Sequence, residues 1–219
     1  MKLYHMPGAC SRVTLNALEE IGLDYEDHVL DLSKGDQRSP EFLAVNPRGK
    51  IPALLVDDQL ITENSSILLY LVNRYPEAEL LPQTDDPLFR ALCISDLIWC
   101  SATVHPIVRS IRMPVRLTDG DPAGVFAKGM ELMGPVVKAI DQRLAQGDWW
   151  FGDQWSIVDT YLYWNYDTAA SGGFDLSGTP AIRDHAQRVR ARPSFQRLLR
   201  REQAAVQAKG ITLPPGASL

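Results

Sequence analysis

Asn46-Pro47-Arg48-Gly49-Lys50-Ile51-Pro52-Ala53-Leu54-Leu55-Val56-Asp57-Asp58-Gln59-Leu60-Ile61-Thr62-Glu63-Asn64-Ser65-Ser66-Ile67-Leu68 is the stretch on which the fold turns. Ile51 to Val56 is an apolar run of strand length, Asp57-Asp58 a two-residue turn, and Gln59 to Thr62 the returning strand. From Asn64 onward, Ile67, Leu68, Leu71 and Val72 fall at helical spacing until Pro76 stops the helix near Tyr75. An antiparallel hairpin therefore feeds a helix.

Upstream, Lys2 to His5 predicts a short strand that stops at Pro7-Gly8. Ser11 reads as the N-cap of a helix of about three turns that ends at Gly22, although its apolar positions Val13, Leu15, Leu18, Ile21 and Leu23 mix spacings. Asp27 to Leu32 alternates into the loop Ser33-Lys34-Gly35, and Ser39-Pro40-Glu41-Phe42 opens a short helix ending near Asn46-Pro47. The order is β-α-β-α-β-β-α within 80 residues. Its first βαβ unit demands parallel strands joined by a right-handed crossover, and its hairpin demands antiparallel ones. The α/β arrangement that meets both demands is a thioredoxin-like domain with a mixed four-stranded sheet.

Downstream, Leu80-Leu81-Pro82-Gln83-Thr84-Asp85-Asp86-Pro87 reads as a linker, and everything beyond it is helical in pattern. Helices are predicted over about 86–112, bent near Pro106 and ended before Pro114, then 123–146, 156–171, 180–191 and 194–208. The division is 1–78 for the thioredoxin-like domain, 79–87 for the linker and 88–219 for an all-α domain, with the tail Leu213 to Leu219 loosely held. Within the helical half, Ser156 and Asp159 form a capping box, which makes both structural.

Composition excludes several classes. With 219 residues, 45% hydrophobic and 22% charged, the chain is neither collagen-like nor mostly disordered. Three cysteines form no paired framework, which suits a reducing compartment. Cys93 and Cys100, seven residues apart on one helix, are separated by roughly 10 Å and read as buried small hydrophobes. The net charge of −5 falls wholly in residues 1–78, where 7 basic side chains face 12 acidic ones. No run of 18 consecutive apolar residues and no apolar signal core occur, so a cytoplasmic protein without a membrane partner is expected. Arg183, Arg188, Arg190, Arg192, Arg197, Arg200 and Arg201 lack interleaved aromatics and read as a solvated, ion-paired face rather than a nucleic-acid site.

Cys10 lies at the start of the first helix, where unpaired N–H groups and the helix dipole favour thiolate over thiol; a packing role is the alternative. The absence of a cysteine at position 13 argues against a thioredoxin-style dithiol cycle. Ser11 is either a hydroxyl donor to a bound thiolate or the N-cap alone. Ile51-Pro52 before a strand offers backbone groups to an extended peptide if cis, and is a plain edge proline if trans. Glu63 and Asn64 open another helix, a place that attracts anions, with Glu63 suited to an ammonium. Plain capping explains that pair equally well.

Taken together, Pro7-Gly8-Ala9-Cys10-Ser11, Asn46 to Leu54, Thr62 to Leu68, the Ser156–Asp159 box and Ala191-Arg192-Pro193-Ser194-Phe195 resemble the cytosolic glutathione transferases, most closely the bacterial beta-type enzymes. The resemblance covers nearly the whole chain. It implies a homodimeric enzyme that conjugates glutathione, its co-substrate, to small hydrophobic electrophiles without a metal. It implies that Cys10 contacts the glutathione sulfur with Ser11 as a supporting donor, and that Ile51, before a cis Pro52, pairs with the cysteinyl backbone. Glu63 and Asn64 match the γ-glutamyl positions, Lys34 a basic residue near the glycyl carboxylate, and Lys50 is a further candidate. His105 matches a histidine brought towards the sulfur; Trp99 and Arg109 are placed at the electrophile site. His5 and Pro106 depart from the usual Tyr and Lys. Glutathione-dependent reduction, isomerisation or ether cleavage on the same fold is the alternative, followed by a non-enzymatic binding protein.

Overall fold

The computed structural model describes residues 1–213. Its packing divides into two units, Met1–Leu80 together with the segment from Arg192, and Leu81–Ala191.

The first unit holds β1 (Lys2–His5), α1 (Ser11–Ile21), β2 (Glu26–Val29), α2 (Pro40–Val45), β3 (Ala53–Val56), β4 (Gln59–Thr62) and α3 (Asn64–Arg74). The sheet order is β2-β1-β3-β4, with β1 parallel to β2 and antiparallel to β3, and β3 antiparallel to β4. This is the predicted mixed thioredoxin-like sheet. Ser39 caps α2 by accepting from the Phe42 amide at 3.2 Å, with Pro40 in the first turn. At the start of α1 the N-cap is Cys10, not Ser11, which is already helical.

The irregular spacing in α1 has a physical explanation. Residues 11 to 19 are buried all round, so no single apolar face is selected. Thr14 donates to the Asn64 side chain of α3 at 2.7 Å, while Asn16 bonds Ser194 on the opposite side. Ser194 belongs to the last helix, Pro193–Lys209, which joins the first unit although chain order placed it in an all-α domain running from 88 to 219.

Charge makes that docking specific. The segment from Arg192 carries five cations against one anion, offsetting the acidic excess of residues 1–78. Arg192 pairs with Glu20 at 2.8 Å, and Arg197 and Arg201 converge on Glu19 at 3.2 and 2.9 Å. Tyr25 adds its hydroxyl to Glu19 at 2.8 Å. Arg192, Arg197 and Arg201 of the arginine run are thus ion-paired with α1, while Arg183 and Arg188 pair within the second unit, with Asp184 and Asp148. Leu213 packs beside Met6, Val29 and Ile211, so the start of the expected loose tail is anchored. Residues 214–219 lie outside the described residues.

The second unit is helical: α4 (Pro87–Trp99), a π-helical turn (Cys100–Val104), α5 (His105–Arg112), α6 (Pro122–Leu144), α7 (Ile157–Ser171) and α8 (Pro180–Ala191). The last helix of the first unit, Pro193–Lys209, is α9. The π turn falls where Pro106, lacking an N–H, cannot continue regular α-helical bonding. The His105 N–H donates instead to the Cys100 carbonyl, which also accepts from Asn165 at 3.2 Å.

Cys93, Leu97, Cys100, Val104, Val108 and Ile111 form a buried row at helical spacing along this run. Leu88, Leu92 and Ile98 point outward, 67%, 53% and 45% exposed. Pro87–Arg112 is long and apolar enough, by length and composition, to cross a membrane; here that apolarity serves both a core stripe and an exposed set. Gly129 lets α6 approach α5 closely, because a Cβ there would lie 2.7 Å from Ser110 Oγ and 3.0 Å from Ile111.

Ser156 caps α7 with Asp159 in the predicted capping box, and Asp159 does more than cap. Fully buried, it accepts from the Ser156 N–H at 2.8 Å, the Trp150 N–H at 2.7 Å and His185 Nε2 at 2.9 Å. His185 Nδ1 is in turn 2.9 Å from the Tyr166 hydroxyl. One carboxylate therefore ties the 150s loop, α7 and α8.

Candidate active site

The β1–α1 connection is short and turns at Gly8, whose φ of 74° is reached without penalty only by glycine. The Ala9 N–H closes the turn on the Met6 carbonyl at 3.1 Å. Cys10 is thereby held at the N-cap of α1, partly exposed, its sulfur 3.8 Å from the Ile51 carbonyl. The Ile51–Pro52 peptide is cis. From the other side, the Asn64 side-chain N–H donates to the Cys10 carbonyl at 2.9 Å. The structure thus brings Cys10, Ile51 and Asn64 together.

Ser11 does not join them. Its hydroxyl is fully buried, donating to the Met6 carbonyl at 3.3 Å and accepting from the Met6 N–H at 3.2 Å. The hydroxyl expected to support a bound thiolate is thus engaged by the backbone of Met6, just past the end of β1. Glu63 precedes α3, exposed, with φ 69° and ψ 126°, a left-handed conformation costly for a side-chain-bearing residue and common at functional positions. Asn64 is buried, both ends of its amide engaged by Cys10 and Thr14.

Lys34 and Lys50 occupy two loops that meet. A Cβ on Gly49 would lie 2.9 Å from the Gln37 carbonyl, so only glycine permits the loops this close. Lys34 is exposed and 3.3 Å from buried Asp31, whose carboxyl is held below its ordinary range chiefly by the Ser33 hydroxyl. Lys50 is exposed while its carbonyl accepts from the Asn46 side chain at 2.7 Å.

In the helical unit, His105 stacks edge-on against Trp164, ring centroids 4.6 Å apart, and its Nδ1 lies 3.5 Å from the Tyr161 hydroxyl. Burial, reinforced by the Arg109 charge, pushes the imidazole pKa down to about 4. His105 is therefore neutral at physiological pH. The unfolded chain protonates this group near its ordinary value of 6.5, so folding stability falls as pH drops from about 6.5 to 4. His105→Gln is expected to flatten the melting-temperature decline over that window by about 5 °C, and identical profiles would contradict it. Trp99 belongs to another cluster, stacked on Trp150 at 6.0 Å with Arg143 over the Trp150 ring. Arg109 is exposed.

Sequence reasoning passed over Thr14, Asn46, Gly8, Arg12 and Glu202. Asn46 was within reach, since Arg48 N–H bonds its side chain in a local Asx turn at 3.1 Å. Glu202 was not, because its partners Gly8 and Arg12 lie 194 and 190 residues away.

Residues 1–73 match the glutathione S-transferase N-terminal domain model. The chain is 33% identical over 203 residues to maleylacetoacetate isomerase of Pseudomonas aeruginosa, covering 90% of this chain and 94% of that protein. A sphingomonad glutathione S-transferase solved with glutathione superposes with a TM-score of 0.81 and 32% identity, covering 93% of this chain and 99% of that one. The beta-class enzyme of Sphingomonas chungbukensis gives 0.81 and 31%, covering 92% and 98%. These likenesses run through both units and include the loop that carries Cys10, so the chain belongs to the glutathione S-transferase family.

Proposed function

We propose that this enzyme binds glutathione along Cys10, Ile51 and the start of α3, and adds its sulfur to small hydrophobic electrophiles. The observation that carries the reading is the placement of Cys10 at the N-cap of α1 with its sulfur against the Ile51 carbonyl. A glutathione thiol seated there meets the N–H groups of α1, which favour its thiolate; each unit by which that thiol's pKa falls corresponds to about 1.4 kcal/mol. The thiol gives up its proton to solvent, and the sulfur electron pair forms the new C–S bond as a leaving group departs from the electrophile with its own pair, or as the pair of an activated double bond shifts away and takes up a proton from water.

Ile51 pairs through its backbone with the cysteinyl residue. Glu63 holds the γ-glutamyl ammonium, and Asn64 acts through the N-terminus of α3, because its side-chain amide is engaged inside the fold. Lys34 and Lys50 face the glycyl carboxylate from adjoining loops. His105 serves the reaction as a neutral imidazole, with Trp99 and Arg109 assigned to the electrophile. The enzyme works in the cytoplasm as a homodimer, a state supported by the outward-facing Leu88 and Leu92 of α4. Nucleic acid and membranes are not its partners.

Lys34→Ala and Glu63→Ala are each expected to weaken glutathione binding about tenfold in titration calorimetry, as loss of one charge-assisted contact does. An unchanged Kd would remove the altered residue from the site.

Isomerisation is the second reading, favoured by the 33% identity to maleylacetoacetate isomerase. Reversible addition of the thiolate to a conjugated double bond allows rotation and then returns the sulfur. Glutathione stoichiometry separates the two: conjugation consumes one equivalent per turnover, and isomerisation consumes none.

A further inference from the structure

We propose that Glu202, in the last helix of the chain, is a positioning residue for Cys10. The proposal rests on the reading of Cys10 as the sulfur-contacting residue. Glu202 is fully buried. Its Oε1 accepts from the Gly8 N–H at 3.0 Å, and Arg12 donates to the same carboxylate through Nε at 3.3 and 3.1 Å and through Nη2 at 2.6 Å. Gly8 lies two residues before Cys10 and Arg12 two residues after it. One carboxylate therefore fastens both flanks of the reactive position.

Attachment of α9 does not account for this arrangement. The pairs of Arg192 with Glu20, and of Arg197 and Arg201 with Glu19, already bind α9 to the C-terminal end of α1. A buried ion pair adds little net stability over apolar residues of the same volume, because desolvation offsets the Coulomb attraction. What an apolar pair could not supply is an acceptor for the Gly8 N–H. Gly8 sits at φ 74° in the turn that sets where α1 begins, and α1 sets where the Cys10 sulfur points. Just beyond the end of α9 is a second brace, where Ile211 shares a buried cluster with Met6, the residue whose backbone holds Ser11.

The test compares two carboxylates on the same α1–α9 contact. In Glu202→Met, which nearly keeps the side-chain volume but offers the Gly8 N–H no oxygen acceptor, iodoacetamide is expected to alkylate Cys10 about threefold faster, located by peptide mass spectrometry, and glutathione to bind about fivefold more weakly, because the tethered turn is loosened. Glu20→Gln breaks a comparable ion pair away from the turn and is expected to lower the melting temperature while leaving both readouts unchanged. Hydrogen exchange of the unaltered chain needs no variant: the Gly8 amide, donated to a buried carboxylate, is expected to exchange as slowly as the core amides of α1.

Equal alkylation rates in the two variants, or a Gly8 amide that exchanges like an exposed loop, would overturn the proposal. A chain that binds no glutathione would instead remove the functional reading. The alkylation ratio and Gly8 exchange would still decide whether Glu202 positions Cys10.

Discussion

Asp159→Ala is expected to lower the melting temperature by roughly 10 °C or to prevent folding, a loss of about 3–5 kcal/mol. Asp159 is fully buried, and its two oxygens accept from Trp150 N–H, Ser156 N–H, the Ser156 hydroxyl and His185. Truncation leaves these donors without an acceptor in the interior, where each unmade bond costs about 1–3 kcal/mol. Asp159→Asn keeps the shape but turns an amide N–H towards donors, so an intermediate loss is expected. Lys128→Ala, which removes an exposed pair with Glu131, is the control and is expected to change stability by less than about 0.5 kcal/mol. Thermal denaturation followed by circular dichroism reads all three. A melting point for Asp159→Ala within a few degrees of the control would show that the network is dispensable.

Cys10→Ala is expected to abolish formation of a mixed disulfide with glutathione and to reduce conjugation kcat/KM by about tenfold or more. The three thiols differ sharply in environment. Cys93 and Cys100 are buried, and burial, with the nearby Asp96 carboxylate, raises both thiols above the ordinary range. Cys10 alone is partly exposed, and it sits at a helix N-cap. Under oxidising conditions, intact-mass measurement is expected to show one added glutathione on the unaltered chain and none on the variant. A glutathione adduct persisting on Cys10→Ala, or unchanged kinetics, would take Cys10 out of the mechanism. The reaction would then depend on the backbone N–H groups of α1, because the Ser11 hydroxyl is engaged by the Met6 backbone.

The two predictions differ in how far the sequence carried them. The Ser156–Asp159 box was legible because a capping box is local: four consecutive residues and the start of an apolar helix define it. That His185 and Trp150 also depend on Asp159 was not legible, since both contacts are set by packing of α8 and the 150s loop. At Cys10 the helix start and the thiol were legible together, but the cap was read as Ser11. A serine beside a helix start is ordinarily the cap; here the Met6 backbone offers its hydroxyl both a donor and an acceptor, and the chain turns one residue earlier.

By itself, the sequence determined what short-range chemistry can specify. The hairpin at Asp57-Asp58, the start of α2 at Ser39-Pro40, the extents of β1 and β4 and the helical character beyond residue 87 each follow from a few neighbouring residues, whereas β2 ends at Val29 and β3 begins at Ala53, short of the apolar runs that announced them. Only the tertiary structure decided which parts of the chain share a core. It moved α9 from the helical half onto α1, where its arginines answer Glu19 and Glu20, and brought Glu202 behind the turn that carries Cys10. The physical reason is separation along the chain. Turns and caps are satisfied within four residues, whereas a buried carboxylate and its donors 190 residues away meet only when the whole core has closed around them.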